Sequence, residues 1–210
     1  MSFVKRIGIL FVLVILLVGC GEGRDLRVPS DSIMGELLEQ PGIIITDDWG
    51  AYEMQSYTTL TEMAQASDCI IAAKVEKIWY EQRNGDPVLQ MDVLVQQKFQ
   101  GKLRAGDRVS IDYPGGYITY KELYEAFGIQ DQLNKEHENM VSKIIYDGLT
   151  WPEEGKVYVL YINKSRSMST KGLYELTGTE AILELQEDGN CIQQGTEDIY
   201  TLEEIEESSK

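Results

Sequence analysis

The sequence predicts a mainly β domain to which several short helices are added. Apolar and polar residues alternate from Ser67 to Gly116, as expected of three successive antiparallel strands. A later segment, Lys156–Ile162, is apolar on both faces and predicts a strand that is covered on both sides. A threonine followed three residues later by a glutamate occurs at Thr59, Thr119 and Thr201, and this spacing is typical of helix starts. An α+β domain with an open antiparallel sheet is the alternative arrangement.

The three leading strands differ in their predicted apolar faces: the first begins apolar on both, and the second and third are apolar on one. The first strand is expected from Asp68 to Tyr80, with apolar residues on both faces of its first half, which implies cover on both sides. A turn at residues 84–87 leads to the second strand. The side chains expected to point inward are Cys69, Ile71, Ala73, Val75, Leu89, Met91, Val93, Val95, Val109, Ile111 and Tyr113. Gln90, Asp92 and Gln96 are expected to face solvent.

The flanking segments predict helices and shorter strands. A helix is expected at Ser30–Gln40, followed by a strand at Ile43–Thr46 and a turn at Asp47–Gly50. Between the third and fourth strands, helical spacing predicts two helices, one over Tyr120–Phe127 and one along a stripe from Leu133 to Ile145. Further strands at Leu173–Leu176 and Ala181–Leu185, a turn at 187–190 and a short acidic helix from Thr201 complete the chain.

The first twenty residues have the layout of a secretory signal. Lys5 and Arg6 precede an apolar run from Ile7 to Val18, and Leu-Val-Gly-Cys follows, ending at Cys20. This ending resembles the lipobox of bacterial lipoproteins. The resemblance implies a diacylglyceryl group on the Cys20 sulfur, cleavage before Cys20, and a membrane anchor with palmitate-type acyl chains on the extracytoplasmic face of the cell membrane. The alternatives are a retained transmembrane helix, for which the run is short, and an ordinary signal peptide with an incidental cysteine.

These signals divide the chain into five parts. Residues 1–19 are the expected signal peptide and residues 20–29 a lipidated tether. Residues 30–66 form an N-terminal helical and extended segment, and residues 67–195 the β domain. Residues 196–210 are expected to form a C-terminal acidic helix and tail.

The net charge of the chain limits the kinds of partner that it is expected to bind. The formal net charge is −16, which argues against a nucleic-acid partner and against contact with an anionic lipid surface.

Beyond Cys20 the chain has two cysteines, Cys69 and Cys191, which could pair outside the cytoplasm. Cys69 also falls on an apolar strand face, where a free thiol would behave as a small hydrophobic group.

A spacing pattern across residues 59–192 resembles a group of bacterial extracytoplasmic lipoproteins. It comprises Thr59-Leu60, Ala66-Ser67-Asp68, Phe99-Gln100-Gly101, Gly106–Ile111, Gly115-Gly116, Pro152–Leu160 and Gly189. The resemblance implies a mainly β fold: a five-stranded OB or netrin-like Greek-key barrel with helices at the N-terminus, between strands three and four, and at the C-terminus. Function in the group is poorly defined. Netrin-like metalloproteinase inhibitors chelate zinc with a free N-terminal cysteine amine, which a lipidated Cys20 would not offer.

Catalytic signals are weak in this sequence. It has one histidine, His137, and no Gly-x-Ser-x-Gly elbow or phosphate-binding glycine loop. Carboxylate pairs at Asp47-Asp48 and Glu153-Glu154 lack the alternating spacing of a calcium loop, so neither a metal nor another cofactor is expected. A glycosidase-like carboxylate enzyme stays open, because its two acids meet only in space. So does an inhibitor of an extracytoplasmic protease.

Aromatic residues near the strand ends are the better candidates for binding. OB barrels commonly bind ligands across strands two and three and the adjoining loops. Trp79, Tyr80, Tyr113 and Tyr117 lie at or just beyond ends of the first and third strands and would suit a protein, peptide or glycan partner. The sequence therefore predicts a lipid-anchored, non-enzymatic binding module outside the cytoplasm.

Overall fold

The computed structural model describes residues 23–28, 33–50, 55–83, 86–137, 139–146, 149, 151–165, 173–193, 196 and 198–210. In this part of the chain four α-helices occur: α1 (Ile33–Leu38), α2 (Leu60–Gln65), α3 (Tyr120–Ala126) and α4 (Leu202–Ser208). The strands are β1 (Asp25–Leu26), β2 (Ile44–Gly50), β3 (Cys69–Arg83), β4 (Asp86–Gln100), β5 (Arg108–Pro114), β6 (Gly116–Thr119), β7 (Met140–Tyr146), β8 (Val157–Lys164), β9 (Tyr174–Leu176), β10 (Ile182–Leu185), β11 (Asn190–Gln193) and β12 (Ile199–Thr201).

Five strands close into a barrel. β3, β4 and β5 form an antiparallel meander, and β8 pairs with β3 on its other side. β9 then pairs antiparallel with β8 and parallel with β5, which joins the two edges. The order of the five strands around the barrel is therefore first, second, third, fifth, fourth, as in an OB barrel. The predicted fold class is confirmed.

The fifth barrel strand is split into two parts, β9 and β10. Between them the amide of Thr177 donates to the carbonyl of Tyr161 (3.0 Å), and the amide of Tyr161 donates to that of Ala181 (2.9 Å). β10 continues along β8 and starts an antiparallel extension through β11 and β12. The sequence patterns did not predict β11 or β12.

A second, smaller sheet contains β2, β7 and β6 in that order. Two predictions are wrong here. The expected turn at Asp47–Gly50 is the second half of β2, and the expected helix over Leu133–Ile145 is replaced at its C-terminal half by β7, with His137 in the preceding turn. β7 pairs in parallel with β2 along its whole length, from Ile44 opposite Met140 to Gly50 opposite Tyr146. The ladder satisfies the backbone of a segment rich in β-branched residues, which favours the strand.

Helices cover the barrel strands that are buried on both faces. Ile70, Ile71, Ala72 and Ala73 at the start of β3 are at most 3% exposed, and β8 is buried from Tyr158 to Ile162, so both predictions are confirmed. Met63 and Ala64 of α2 and Ile205 of α4 join this core, and the two helices contact each other. All three threonine caps form, since Thr59, Thr119 and Thr201 each accept from the predicted glutamate amide.

Candidate functional site

The four aromatic residues predicted to bind a partner do not form one surface. Tyr113 is 2% exposed and belongs to the barrel core, so its side chain is not on the surface where a partner could contact it. Trp79, Tyr80 and Tyr117 are half-buried. Trp79 and Tyr80 are neighbours on β3, and because strand side chains alternate they serve opposite faces of the sheet.

Tyr80 and Tyr117 contribute to an aromatic cluster that joins the barrel to the small sheet. Their ring centroids are 4.8 Å apart, and Trp151 lies 6.0 Å from Tyr80 and 5.6 Å from Tyr117. The ammonium of Lys143 on β7 lies 4.5 Å from the centroid of Trp151. Burial raises the pKa of the Tyr80 hydroxyl, against a hydrogen bond with Trp151 that lowers it. These rings already contact one another, and the geometry is that of packing between two sheets.

Trp79 belongs to a polar row on the outer face of β3, β4 and β5. Its indole donates to Asp92 (2.9 Å), and Asp92 also accepts from the hydroxyl of Ser110 (2.6 Å). Gln90, Asp92 and Ser110 are each at most 6% exposed. The sequence correctly placed Gln90 and Asp92 opposite the apolar side chains, but the expectation that they face solvent is wrong.

The N-terminal segment of the chain covers this polar row. The side chain of Gln90 donates to the carbonyl of Val28 (3.0 Å), and the amide of Val28 donates to Ser110 (2.9 Å). Farther along, α1 contacts β3, and its Met34 is buried outside the barrel core. The segment therefore occupies the outer face of strands two and three, where OB barrels commonly bind ligands.

A buried carboxylate fixes the start of that segment. Asp107 is 1% exposed and accepts from the amide of Arg24 (2.9 Å), from its Nε (3.1 Å) and from the amide of Arg104 (3.0 Å), and it also forms an ion pair with the guanidinium. The Arg24 hydrogen bond, despite burial, holds the pKa of Asp107 below its usual range. The backbones approach so closely that a Cβ on Gly23 would clash with the carbonyl of Gly106.

The two internal cysteines are free thiols in the structure. Cys69 and Cys191 are both buried, on β3 and β11, and the bridge that they could have formed is absent. Burial raises the pKa of the Cys191 thiol to about 11. Each therefore packs as a small apolar side chain.

The two carboxylate pairs considered in the sequence analysis do not lie together as one site. The acids of the second pair have partners elsewhere in the structure. Glu153 pairs with Lys156 (3.1 Å), and Glu154 accepts from the amide of Ile78 (2.8 Å). Asp47 is in β2, opposite Lys143 of β7. Across the described residues, no group of three or more His, Cys, Asp and Glu side chains is placed to hold a metal ion. His137 contacts two tyrosine rings, Tyr120 at 5.4 Å and Tyr124 at 5.2 Å between centroids.

A polar cleft of about 200 Å³ lies between the start of α2 and the strand extension. Its lining combines hydroxyl, amide and carboxylate groups with two tyrosine rings: Tyr57, Thr58, Thr59, Leu60, Met63, Glu180, Gln193, Thr196, Asp198 and Tyr200. No lysine or arginine lines it among the described residues. The volume is below that of a drug-sized pocket and suits one small polar group or side chain.

Hydrogen bonds fix the walls of this cleft. Glu180 accepts from the hydroxyl of Ser56 (2.6 Å) and the amide of Tyr57 (3.3 Å). Burial alone would raise the pKa of Glu180, but hydrogen bonds, of which the one from Ser56 has the largest effect, lower it overall, which favours the ionised carboxylate. Gln193 donates to the carbonyl of Glu180 (3.2 Å) and accepts from Thr196 (3.3 Å).

Sequence reasoning missed the cleft because its walls are far apart in the chain. Residues 57–63 precede the barrel, whereas Glu180 lies between the two parts of its last strand, and Gln193, Thr196, Asp198 and Tyr200 follow that strand. The available signal was the helix start at Thr59, which marks one wall, but nothing in the sequence pairs that start with Glu180. Proximity of such segments follows only from barrel closure.

Comparisons with known proteins add no family to these observations. No protein-family model matches the chain, and no similar curated protein sequence is found. The helices in the described part of the chain are all too short or too polar to cross a membrane.

Proposed function

We propose that the protein is a lipid-anchored, non-enzymatic binding module on the extracytoplasmic face of a bacterial cell membrane, and that its ligand site is the polar cleft. The observation that carries the proposal is the cleft itself: an open polar concavity whose wall residues are hydrogen-bonded to one another, with the half-buried rings of Tyr57 and Tyr200 in its lining. Localised concave sites with a few convergent polar groups are the usual form of ligand pockets.

The charge of the cleft defines the chemistry of its partner. Glu180 and Asp198 are acidic, and no basic side chain among the described lining residues balances them. An anionic group would be repelled, whereas an ammonium, amide or hydroxyl donor would find acceptors on Glu180 and Gln193. The proposed partner therefore presents neutral or cationic donors, as peptide and glycan segments do.

The N-terminal segment already occupies the face at which OB barrels commonly bind ligands, and this supports the cleft as the ligand site instead. The N-terminal segment lies over Gln90 and Ser110 and makes hydrogen bonds with both. A ligand there would have to displace these bonds and leave buried polar groups without partners, which costs about 1–3 kcal/mol for each group. The cleft requires no such displacement.

A carboxylate-dependent enzyme is the second candidate, because Glu180 and Asp198 line the same cleft. A glycosidase needs one of its two acids to carry a proton near neutral pH, with a raised pKa. The pKa of Glu180 is shifted the opposite way, because its hydrogen bonds lower it. Binding therefore accounts for the geometry better than acid catalysis does.

Anchoring is tested by Cys20→Ser in cells. We expect the variant to lose acyl-chain labelling and to leave the membrane fraction, because two buried acyl chains provide the stable attachment. Processed, membrane-bound Cys20→Ser protein would contradict the anchor.

Binding is tested by photocrosslinking from the surface of intact cells. A photoreactive residue replaces Thr196 at the cleft, and the matched control replaces exposed Asp86 at the far end of β4. We expect a crosslinked partner at Thr196 that is lost when Tyr57→Ala is added. Identical products from Thr196 and Asp86 would contradict a cleft site. Hydrolysis of a glycan that is abolished by Asp198→Asn would favour the enzyme.

A further inference from the structure

The turn at which the N-terminal segment docks is rich in basic residues, although the chain as a whole is acidic and the exposed Asp68 lies beside Gly101. Residues 98–108 contain four basic residues and one acidic residue, Asp107. Lys98, Lys102 and Arg104 are exposed in the described structure, while Asp107 is buried and paired with Arg24. The formal net charge of the full chain is −16, so this grouping runs against its average.

The docked segment ties this basic turn to the N-terminus. The guanidinium of Arg24 donates to the carbonyl of Lys102 (3.3 Å) as well as to Asp107. The amide of Arg108 donates to the carbonyl of Arg24 (2.8 Å), and β1 continues in parallel with β5. The chain is therefore held against the 101–107 turn from Arg24 onward.

Little chain separates this docking point from the proposed anchor. Cys20 is four residues before Arg24, and four residues span at most about 14 Å when fully extended. That upper limit is less than two Debye lengths, since the Debye length is about 8–10 Å near physiological salt. A lipid on Cys20 would bring Lys98, Lys102 and Arg104 within electrostatic range of the headgroups.

We propose that the basic turn formed by Lys98, Lys102 and Arg104 is the membrane-facing surface of the protein and contacts anionic lipid headgroups. This inference rests on the proposed lipid anchor at Cys20. Phosphate-bearing headgroups attract exposed lysine and arginine side chains close to the surface. The far end of the β3–β4 hairpin, with Asp86, then points away from the membrane, and the acidic remainder of the domain is kept off the anionic surface.

Quenching by lipids tests this orientation in the lipidated full protein. A thiol-reactive fluorophore is attached through Lys102→Cys, just beyond the end of β4, or, as the matched control, through Asp86→Cys at the start of β4. Cys69 and Cys191 are buried, so the introduced thiol is the accessible one. The protein is reconstituted into vesicles of neutral lipid with or without about one-third anionic phosphatidylglycerol, with a headgroup-level quencher present.

We expect at least threefold stronger quenching at Lys102 than at Asp86, and a further increase with anionic lipid. Charge reversal by Lys98→Glu with Arg104→Glu should remove the anionic-lipid increase while the protein still floats with the vesicles. Equal quenching at the two labels in protein that floats would overturn the orientation and leave the anchor standing. Quenching at Lys102 that does not change with anionic lipid, in a protein that binds an anionic wall polymer instead, would overturn the proposed contact with lipid headgroups. Loss of flotation with the vesicles would contradict the proposed lipid anchor at Cys20.

Discussion

Removing the charge of Asp107 should release the N-terminal segment from the barrel. In Asp107→Asn one carboxylate oxygen becomes an amide donor that faces the donors of Arg24 and Arg104, so at least two of the present hydrogen bonds are lost. Bonds to a charged group contribute about 1.5–3 kcal/mol each. We use the lower value because the Arg24 side chain is 50% exposed and water can replace part of its bonding. The expected loss in the free energy of unfolding is about 3 kcal/mol.

Urea unfolding of a chain that begins at residue 21, and so lacks the proposed signal and lipidation site, measures this loss, and limited trypsin digestion locates it. Trypsin should cut the variant after Arg24 and Arg27 at least ten times faster than the unchanged protein, because the docked strand no longer shields those bonds. Asp131→Asn removes the same charge at an exposed position and should change the free energy of unfolding by less than about 0.5 kcal/mol. A similar small change in Asp107→Asn, with unchanged digestion, would refute the docking argument.

The same carboxylate gives the docking a defined pH dependence. The pKa of Asp107 is lower in the folded protein than its usual value of about 3.9. Its stabilisation is therefore complete above that value and is lost as the pH falls through the folded pKa. The stability difference between the unchanged protein and Asp107→Asn should shrink below about pH 4. A constant difference down to pH 2 would show that charge is not responsible.

Three further predictions concern other parts of the chain. Trp151→Ala should lower the free energy of unfolding by about 2–3 kcal/mol, because the ring fills the junction between barrel and small sheet, and Trp151→Phe should recover part of that loss in the same urea assay. The buried Cys191 thiol should contribute about 3 kcal/mol of destabilisation as the pH rises from roughly 9 to 11, because it stays neutral to about pH 11 in the folded state while the unfolded chain ionises earlier. Cys191→Ala should make this part of the pH–stability curve less steep, and an unchanged slope would contradict the assignment. Gly23→Ala should clash with the Gly106 carbonyl and speed hydrogen exchange at the β1–β5 amides, whereas equal exchange would show that the close approach is not required.

Local patterns in the sequence determined most of the barrel and all three helix caps. Alternating side chains and a Thr-x-x-Glu spacing act between near neighbours, so they can be seen without knowing the fold. Patterns between near neighbours did not predict the small sheet of β2, β7 and β6. The segment around Met140–Tyr146 fits a helical stripe in isolation and became β7 because β2, nearly a hundred residues earlier, offers it a complete parallel ladder.

Tertiary structure alone decided where function can reside. The sequence offered Tyr113 as a binding residue and placed Gln90 in solvent, yet the closed barrel buries the first in its core and the N-terminal segment buries the second. The basic residues of 98–108 are visible in the sequence, but their closeness to Arg24 depends on Asp107. Burial and proximity are properties of the whole chain, because each depends on segments that meet only after folding.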